Sequence, residues 1–164
     1  MDIPLQKNRK PLVSIIIPCY NMASKMQRCM QSIIDQTYDN MEVIFVDDGS
    51  TDNSMEVFQT YASSMEARNI KVHAMQQENQ GPSAAFNAAL KILKGEYFAW
   101  IDPDDWLDAK SIELRLNAVL ENPDIGIVST DINIWSPENF DEPIEVCICK
   151  DSRNEQADLF KNYI

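Results

Sequence analysis

The sequence is poor in glycine and histidine and carries far more acid than base. Its 4 glycines form no Gly-rich loop, which excludes a dinucleotide-binding fingerprint and a phosphate-binding P-loop. The formal net charge is −12, whereas a nucleic-acid interface needs clustered Lys and Arg. No nucleic-acid partner is therefore expected, and a bound diphosphate would have to be neutralised mainly by a divalent ion.

Long apolar runs and metal-type cysteine spacing are also missing. No stretch approaches the roughly 20 apolar residues that span a bilayer, and the polar lead-in 1–10 has no signal-peptide core. The 4 cysteines lack zinc-site spacing and are predicted to be reduced thiols of a cytoplasmic protein. The inner face of the membrane is a second expected location. Length favours a single domain over 11–164.

Short apolar runs alternate with segments of helical periodicity. Runs that are continuously apolar indicate strands covered by helices on both faces, hence a mainly parallel α/β sheet of the Rossmann-like kind. The run 97–101 is predicted to be buried, and the alternating run 70–75 to lie near a sheet edge. The predicted strands are 12–18, 43–46, 70–75, 97–101, 125–128 and 144–149, and the predicted helices include 84–94, 108–121 and 153–163.

Polar residues follow four of these strands. Ligands of open parallel sheets bind beyond the carboxyl ends of the strands, so the sequence predicts one site at that edge. Asn21 and Ser24 are also candidate caps of the helix after the first strand. His73, the one histidine, lies mid-strand and is interpreted as structural. The residues that follow the strands are Tyr20, Asn21, Asp47, Asp48, Asn79, Gln80, Gly81, Asp102, Asp104 and Asp105.

The acidic turn Asp102–Asp105 is the strongest indication of chemistry. Three carboxylates so close together repel one another unless a cation lies among them. Oxygen ligands suit Mg²⁺ or Mn²⁺. A solvated turn beside a helix capped by Asp108 is the alternative. Because the other polar strand ends are expected at the same edge, the metal site is favoured.

Four segments in order resemble glycosyltransferase family 2, the inverting enzymes that build bacterial polysaccharides, cellulose, chitin and hyaluronan. The resemblance covers about residues 11–131 and implies a GT-A fold that binds a nucleotide-sugar, most often a UDP-sugar. The segments are Ser14–Asn21, Val46–Asp52, Asn79–Ala84 and Asp102–Asp105.

The resemblance also implies roles for individual residues. Pro18 and Tyr20 match positions that line the nucleobase pocket, and Asp48 or its neighbour Asp47 matches the carboxylate that reads the uracil edge. Asp102 lies toward the ribose in that scheme, Asp104 holds Mn²⁺ or Mg²⁺, and Asp105 is a candidate near the sugar. The donor-binding set is thus Pro18, Tyr20, Asn21, Asp47, Asp48, Asn79, Gly81, Asp102 and Asp105, with Asp104 and Asp102 as metal ligands.

The sequence departs from the family pattern in two ways. Phe86 and Ala88 replace an arginine and a glycine that relatives commonly carry after the third strand. No residue matches the downstream aspartate that serves as general base, and neither Asp131 nor Asp141 has its context. The base is therefore expected beyond Ile164, and the chain is interpreted as an N-terminal portion with the donor site.

The leading hypothesis is a metal-dependent transferase that moves a sugar from a nucleotide-sugar, with inversion, to a glycan or lipid-linked acceptor in polysaccharide synthesis. Peripheral membrane association would suit such an acceptor. One alternative is a nucleotide-sugar-binding module without turnover. The other is a Mg²⁺-dependent phosphoryl-transfer or receiver-type domain, which is opposed because no lysine lies at a strand end opposite Asp47 and Asp48.

Overall fold

The computed structural model describes residues 9–122, 124, 126–130, 132–134 and 145–147. The backbone falls into two compact units, Met1–Leu114 and Arg115–Ile164. The single domain expected over 11–164 stays a prediction. Among the described residues, no helix is long and apolar enough to cross a membrane.

The first unit is built on a four-stranded parallel sheet, in the order β3-β2-β1-β4. Strands and helices alternate along the chain, which confirms the predicted α/β class with a mainly parallel sheet. The elements are β1 Val13–Cys19, α1 Gln27–Ile34, β2 Met41–Asp47, α2 Ser54–Ala67, β3 Lys71–Gln76, α3 Pro82–Leu90, β4 Tyr97–Trp100 and α4 Ser111–Glu121, which extends across the boundary between the units.

The two central strands form the core. Every residue of β1 and β2 is buried, as their continuous apolar sequences predict. Phe45 of β2 stacks on Phe58 of α2, with ring centroids 4.0 Å apart. Helices α1 and α2 contact each other, and α3 packs on β1 and β2. Right-handed crossovers place α3 on the face opposite to α1 and α2.

The strand order reverses between β1 and β4. The chain proceeds from β1 through β2 to β3 on one side and then returns to place β4 on the other side of β1. Open α/β sheets bind ligands at such a reversal, beyond the carboxyl ends of the strands. The ends of β1 and β4 therefore mark the expected place of a site.

Strand β4 is less buried than its apolar sequence predicts. Phe98 is 55% exposed and Trp100 47% exposed, so the prediction of a buried strand is wrong for these residues. Among the described residues, β4 pairs with β1 alone, and it therefore forms a sheet edge. Helix α3 is likewise not buried all round, because only the side that carries Ala85 and Ala89 is fully covered.

Helix α1 begins later than its sequence indicates. It starts at Gln27, and among the described residues no side chain caps it. A turn precedes it, in which Met26 N–H donates to Met22 O at 3.1 Å. The predicted caps Asn21 and Ser24 are therefore wrong, and Asn21 makes other contacts.

The second unit contains a small antiparallel pair, β5 Ile132–Ile134 and β6 Glu145–Cys147. The strand predicted at 125–128 is wrong over 126–128, which form no strand. Ile127 is exposed there, so this short run buries too little to stabilise one. The strand predicted at 144–149 is confirmed over Glu145–Cys147. Asp131, Asp141 and the helix predicted at 153–163 lie outside the described residues.

Candidate functional site

The loop after β1 is joined to the loop after β2 through Asn21. Its side-chain Oδ1 accepts hydrogen bonds from Thr51 N at 2.8 Å and Asp52 N at 3.3 Å. Its own N–H donates to Ser50 Oγ at 2.9 Å. Asn21 has φ +54°, a conformation that asparagine tolerates better than most residues. Asn21 thus fixes the strand tip on which the exposed Tyr20 lies, next to the buried Pro18.

Asp47 ends β2 and is buried, with 1% of its surface exposed. Its Oδ1 accepts from Ser50 N at 2.9 Å and its Oδ2 from Gln76 Nε2 at 2.9 Å. Both carboxylate oxygens are therefore engaged by neighbouring loops. These contacts hold the turn after β2 to the end of β3.

Asp48 is 3% exposed and organises the start of α3. Its Oδ1 accepts from Gln77 Nε2 at 2.7 Å and Gln80 N at 3.0 Å, and its Oδ2 accepts from Gly81 N at 2.7 Å. A carboxylate has about four acceptor sites, so three are already in use. Recognition of a uracil edge by Asp48 or Asp47 stays a prediction.

Two glycines with positive φ shape these loops, and one of them allows a close approach. Gly49 has φ +74°, and a Cβ there would lie 2.8 Å from the backbone nitrogen of Asn79. Gly81 has φ +88° at the start of α3. A side chain at either position would strain the backbone. The exposed Asn79 is thereby held against the loop after β2.

The acidic turn leaves the sheet directly beside β1. Ile101 N–H donates to Ile16 O at 3.2 Å, so Asp102 projects from the edge at which β1 ends. Asp102, Asp104 and Asp105 are all exposed. The indole Nε1–H of Trp100 donates to Asp102 Oδ1 at 3.0 Å.

The three carboxylates of the turn act on each other and on α1. Partial burial, followed by the charges of Asp104 and Asp102, raises the pKa of the Asp105 carboxyl above its ordinary value. Burial raises the pKa of the Cys29 thiol on α1, with Asp105 the next contribution. Cys29 and Cys19 are buried free thiols, as predicted. The turn is thus an anionic surface against which α1 packs, and a cation would stabilise it.

A buried amide that the sequence did not single out supports the segment after the turn. Gln36, which follows α1, is fully buried. Its Nε2–H donates to Asp108 O at 2.8 Å, and its Oε1 accepts from Ile112 N at 3.1 Å. Ser32 Oγ accepts from Leu107 N at 3.1 Å. No local pattern marks this role of Gln36, because Asp108 and Ile112 lie more than 70 residues away from it.

The residues present fit a divalent ion that is held jointly with a ligand. Among the described residues, no group of three His, Cys, Asp or Glu side chains is arranged to bind a metal. Mg²⁺ sites of enzymes that bind phosphate substrates commonly use one or two carboxylates and complete the shell with phosphate oxygens and water. Asp102 and Asp104 would supply such a pair, and a diphosphate the remaining ligands.

A family model described as glycosyl transferase family 2 matches residues 14–162. The chain belongs to glycosyltransferase family 2. This family member is 41% identical over 131 residues to a hyaluronan synthase of Pasteurella multocida, an alignment that covers 80% of this chain and 13% of that protein. The family predicted from the four motifs is confirmed.

Solved glycosyltransferase structures share the fold. A structure of S. aureus TarS, residues 1–349, matches with a TM-score of 0.61 and 26% identity, over 68% of this chain and 33% of that one. A mannosyltransferase of Pyrobaculum calidifontis, PcManGT, solved with GDP-Man and Mn²⁺, matches with a TM-score of 0.62 and 25% identity, over 77% and 36%. The GT-A fold is confirmed. The chain spans less than half the length of the hyaluronan synthase, TarS chain and PcManGT chain.

Proposed function

We propose that this chain is the donor-binding part of a metal-dependent glycosyltransferase, which transfers a sugar with inversion from a nucleotide-sugar to a glycan or lipid-linked acceptor. The observation that carries the proposal is that the polar loops and the acidic turn leave the sheet at the same edge, where the strand order reverses. Asn21 and Asp48 bind neighbouring loops together, and Asp102 follows the adjacent strand β4. These contacts give a nucleotide-sugar a preformed, polar edge.

The acidic turn suits the leaving group of this reaction. Breaking a sugar–phosphate bond builds negative charge on the departing nucleoside diphosphate, and a bound Mn²⁺ or Mg²⁺ would stabilise that charge. Asp104 and Asp102 would hold the ion. Asp105, whose pKa is raised by burial and by both neighbours, would ionise more readily once the ion is bound.

The identity of the donor is proposed from the relatives. The related mannosyltransferase was solved with GDP-Man and Mn²⁺, which supports a nucleotide-sugar and a divalent ion. The hyaluronan synthase relative supports polysaccharide synthesis. We take UDP as the first nucleotide to test, because the family motifs are most often those of UDP-sugar enzymes.

A binding module without turnover is the second candidate function. The sequence offers no match to the family's general base, which an inverting transfer needs to deprotonate its acceptor. Assaying sugar transfer by the 164-residue chain tests this candidate. Robust turnover would contradict both a binding module without turnover and the expectation that this chain lacks the base.

Titration calorimetry with UDP, with and without Mn²⁺, tests the donor site. We expect the chain to bind UDP in the presence of Mn²⁺ and to bind it far more weakly without the metal. Asp104→Ala should lose the metal-dependent binding, because it removes a ligand from an incomplete shell.

The matched control is Asp39→Ala. Asp39 is an exposed carboxylate that pairs with Lys10 at 2.7 Å and lies before β2, at the opposite end of the strands. Its replacement should leave UDP binding unchanged. Equal affinity with and without metal in the parent chain would overturn the metal-dependent site.

A further inference from the structure

Trp100 lies at the end of β4 in contact with the acidic turn. The residue is 47% exposed, yet its Nε1–H donates to Asp102 Oδ1 at 3.0 Å. A hydrogen bond to a charged acceptor is stronger than one between neutral groups. The contact therefore restricts the Asp102 side chain, which the charges of Asp104 and Asp105 would otherwise push away.

The indole is itself held by an aromatic residue of α3. Phe86 stacks on Trp100 with ring centroids 4.8 Å apart and an interplanar angle of 25°. Phe98 meets Phe86 edge-on at 5.8 Å. Phe86 in turn packs against the core cluster that contains Ile16 and Ala85. A continuous series of contacts thus runs from the core to the Asp102 carboxylate.

We propose that Trp100 and Phe86 are positioning residues for the donor site: Phe86 orients the Trp100 indole, and the indole N–H fixes the Asp102 carboxylate toward the nucleotide and its metal. This inference rests on the proposed function. It also gives a role to Phe86, the aromatic residue that departs from the family pattern.

A covering role for the aromatic residues would make a different prediction. If they served only to shield the edge of β4, removing the indole N–H while keeping a ring would change neither the acidic turn nor ligand affinity. Trp100→Phe makes that change, since it retains a ring against Phe86 and deletes the donor to Asp102. The control Phe98→Leu removes a neighbouring aromatic ring that contacts Phe86 and keeps the Trp100 indole N–H that donates to Asp102.

The first measurement is the affinity of the full 164-residue chain for UDP with Mg²⁺. We expect Trp100→Phe to weaken it about tenfold, as the loss of one hydrogen bond to a charged group implies. Phe98→Leu should stay within about twofold of the parent chain, well below that loss. Thermal unfolding of both variants should stay close to the parent, which separates positioning from folding.

A double-mutant cycle tests whether Trp100 acts through Asp102. Added to Asp102→Ala, the Trp100→Phe change should have no further effect on UDP affinity, because the carboxylate that it positions is gone. The same tenfold loss in both backgrounds would overturn the proposal. So would an unchanged affinity of Trp100→Phe alone.

The indole N–H signal in a ¹⁵N NMR spectrum gives a readout that needs no ligand. The Trp100 signal, assigned by its absence in Trp100→Phe, should move upfield in Asp102→Ala as its hydrogen bond is lost. If the signal moves in Asp102→Ala but the parent chain binds no UDP with either Mn²⁺ or Mg²⁺, the proposed function and this inference are overturned together. If the parent chain binds UDP but the Trp100 signal does not move in Asp102→Ala, the positioning role alone is overturned.

Discussion

The carboxylate of Glu42 and those of the acidic turn are held in opposite ways. Near the beginning of the strands, Glu42 is fully buried, and its Oε1 accepts from Ser14 Oγ and Lys94 N, each at 2.6 Å. Beyond the end of β4, Asp102, Asp104 and Asp105 are exposed. A buried charge is tolerated only when hydrogen bonds replace its water.

This difference separates a carboxylate that stabilises the fold from carboxylates suited to a ligand. Burial alone would raise the pKa of Glu42, but the hydrogen bonds from Ser14 and Lys94, with His73 nearby, lower it overall. His73 Nε2 lies 3.7 Å from Glu42 Oε2, in keeping with its predicted structural role. The pKa of Asp105 shifts the other way, because partial burial and the charges of Asp104 and Asp102 oppose its ionisation.

The largest expected effect on stability comes from replacing Glu42. Glu42→Ala leaves the buried Ser14 hydroxyl and Lys94 N–H without their acceptor, so the free energy of unfolding should fall by about 3 kcal/mol. Urea unfolding measures the change. Glu66→Ala, at an exposed position of α2, should change it by less than about 0.5 kcal/mol. A Glu42→Ala loss no larger than that of the control would contradict the assignment.

The pH dependence of stability sharpens the same point. A carboxylate whose folded-state pKa is lowered contributes stability above its unfolded pKa of about 4.3, and that contribution is lost as pH falls through the folded value. Glu42→Gln should therefore flatten the loss of stability below about pH 4.

A smaller effect is expected at Gly95, which closes this end of the sheet. Its N–H donates to Ser14 Oγ at 2.9 Å, and a Cβ there would lie 2.5 Å from Tyr97 O and 2.7 Å from Ser14 N. Since backbone atoms cannot easily give way, Gly95→Ala should lower the free energy of unfolding by about 2 kcal/mol. If urea unfolding gives Gly95→Ala the same free energy of unfolding as the parent chain, the backbone relaxes around the new Cβ and the expectation is wrong.

The smallest effect is expected at the acidic turn and has the opposite sign. A raised pKa means that the folded state favours the neutral carboxyl, a preference that is lost as pH rises through the folded pKa. Asp105→Asn should therefore raise the thermal midpoint slightly at pH 7 without metal, and the difference should vanish near pH 3.

Asp39→Asn is the control, because the pKa of Asp39 is shifted in the opposite direction to that of Asp105. The hydrogen bond from Lys10 lowers the pKa of Asp39, so its replacement should leave the midpoint at pH 7 unchanged or slightly lower. A lower midpoint for Asp105→Asn than for Asp39→Asn would show that the acidic turn is not repulsive.

Much of the fold could be predicted because the signals are local. Continuous apolar runs predicted β1 and β2, and alternation predicted the edge strand β3. Exposure was not predictable for Phe98 and Trp100, because an apolar strand does not reveal whether it is paired on one side or both. Of the antiparallel pair, β6 was predicted and β5 was not, since runs of three or four residues carry little pattern.

The family, the parallel sheet and the polar strand tips can be predicted from residue order alone, because parallel strands end at one edge of a sheet. Whether each carboxylate is buried or exposed depends on the folded chain. Glu42 accepts a hydrogen bond from Lys94 N, 52 residues away, and Asp48 accepts one from Gly81 N, 33 residues away. Asp104 and Asp105 stay exposed. Whether a carboxylate is enclosed depends on donors brought by distant segments, and those distances exist only in the folded chain.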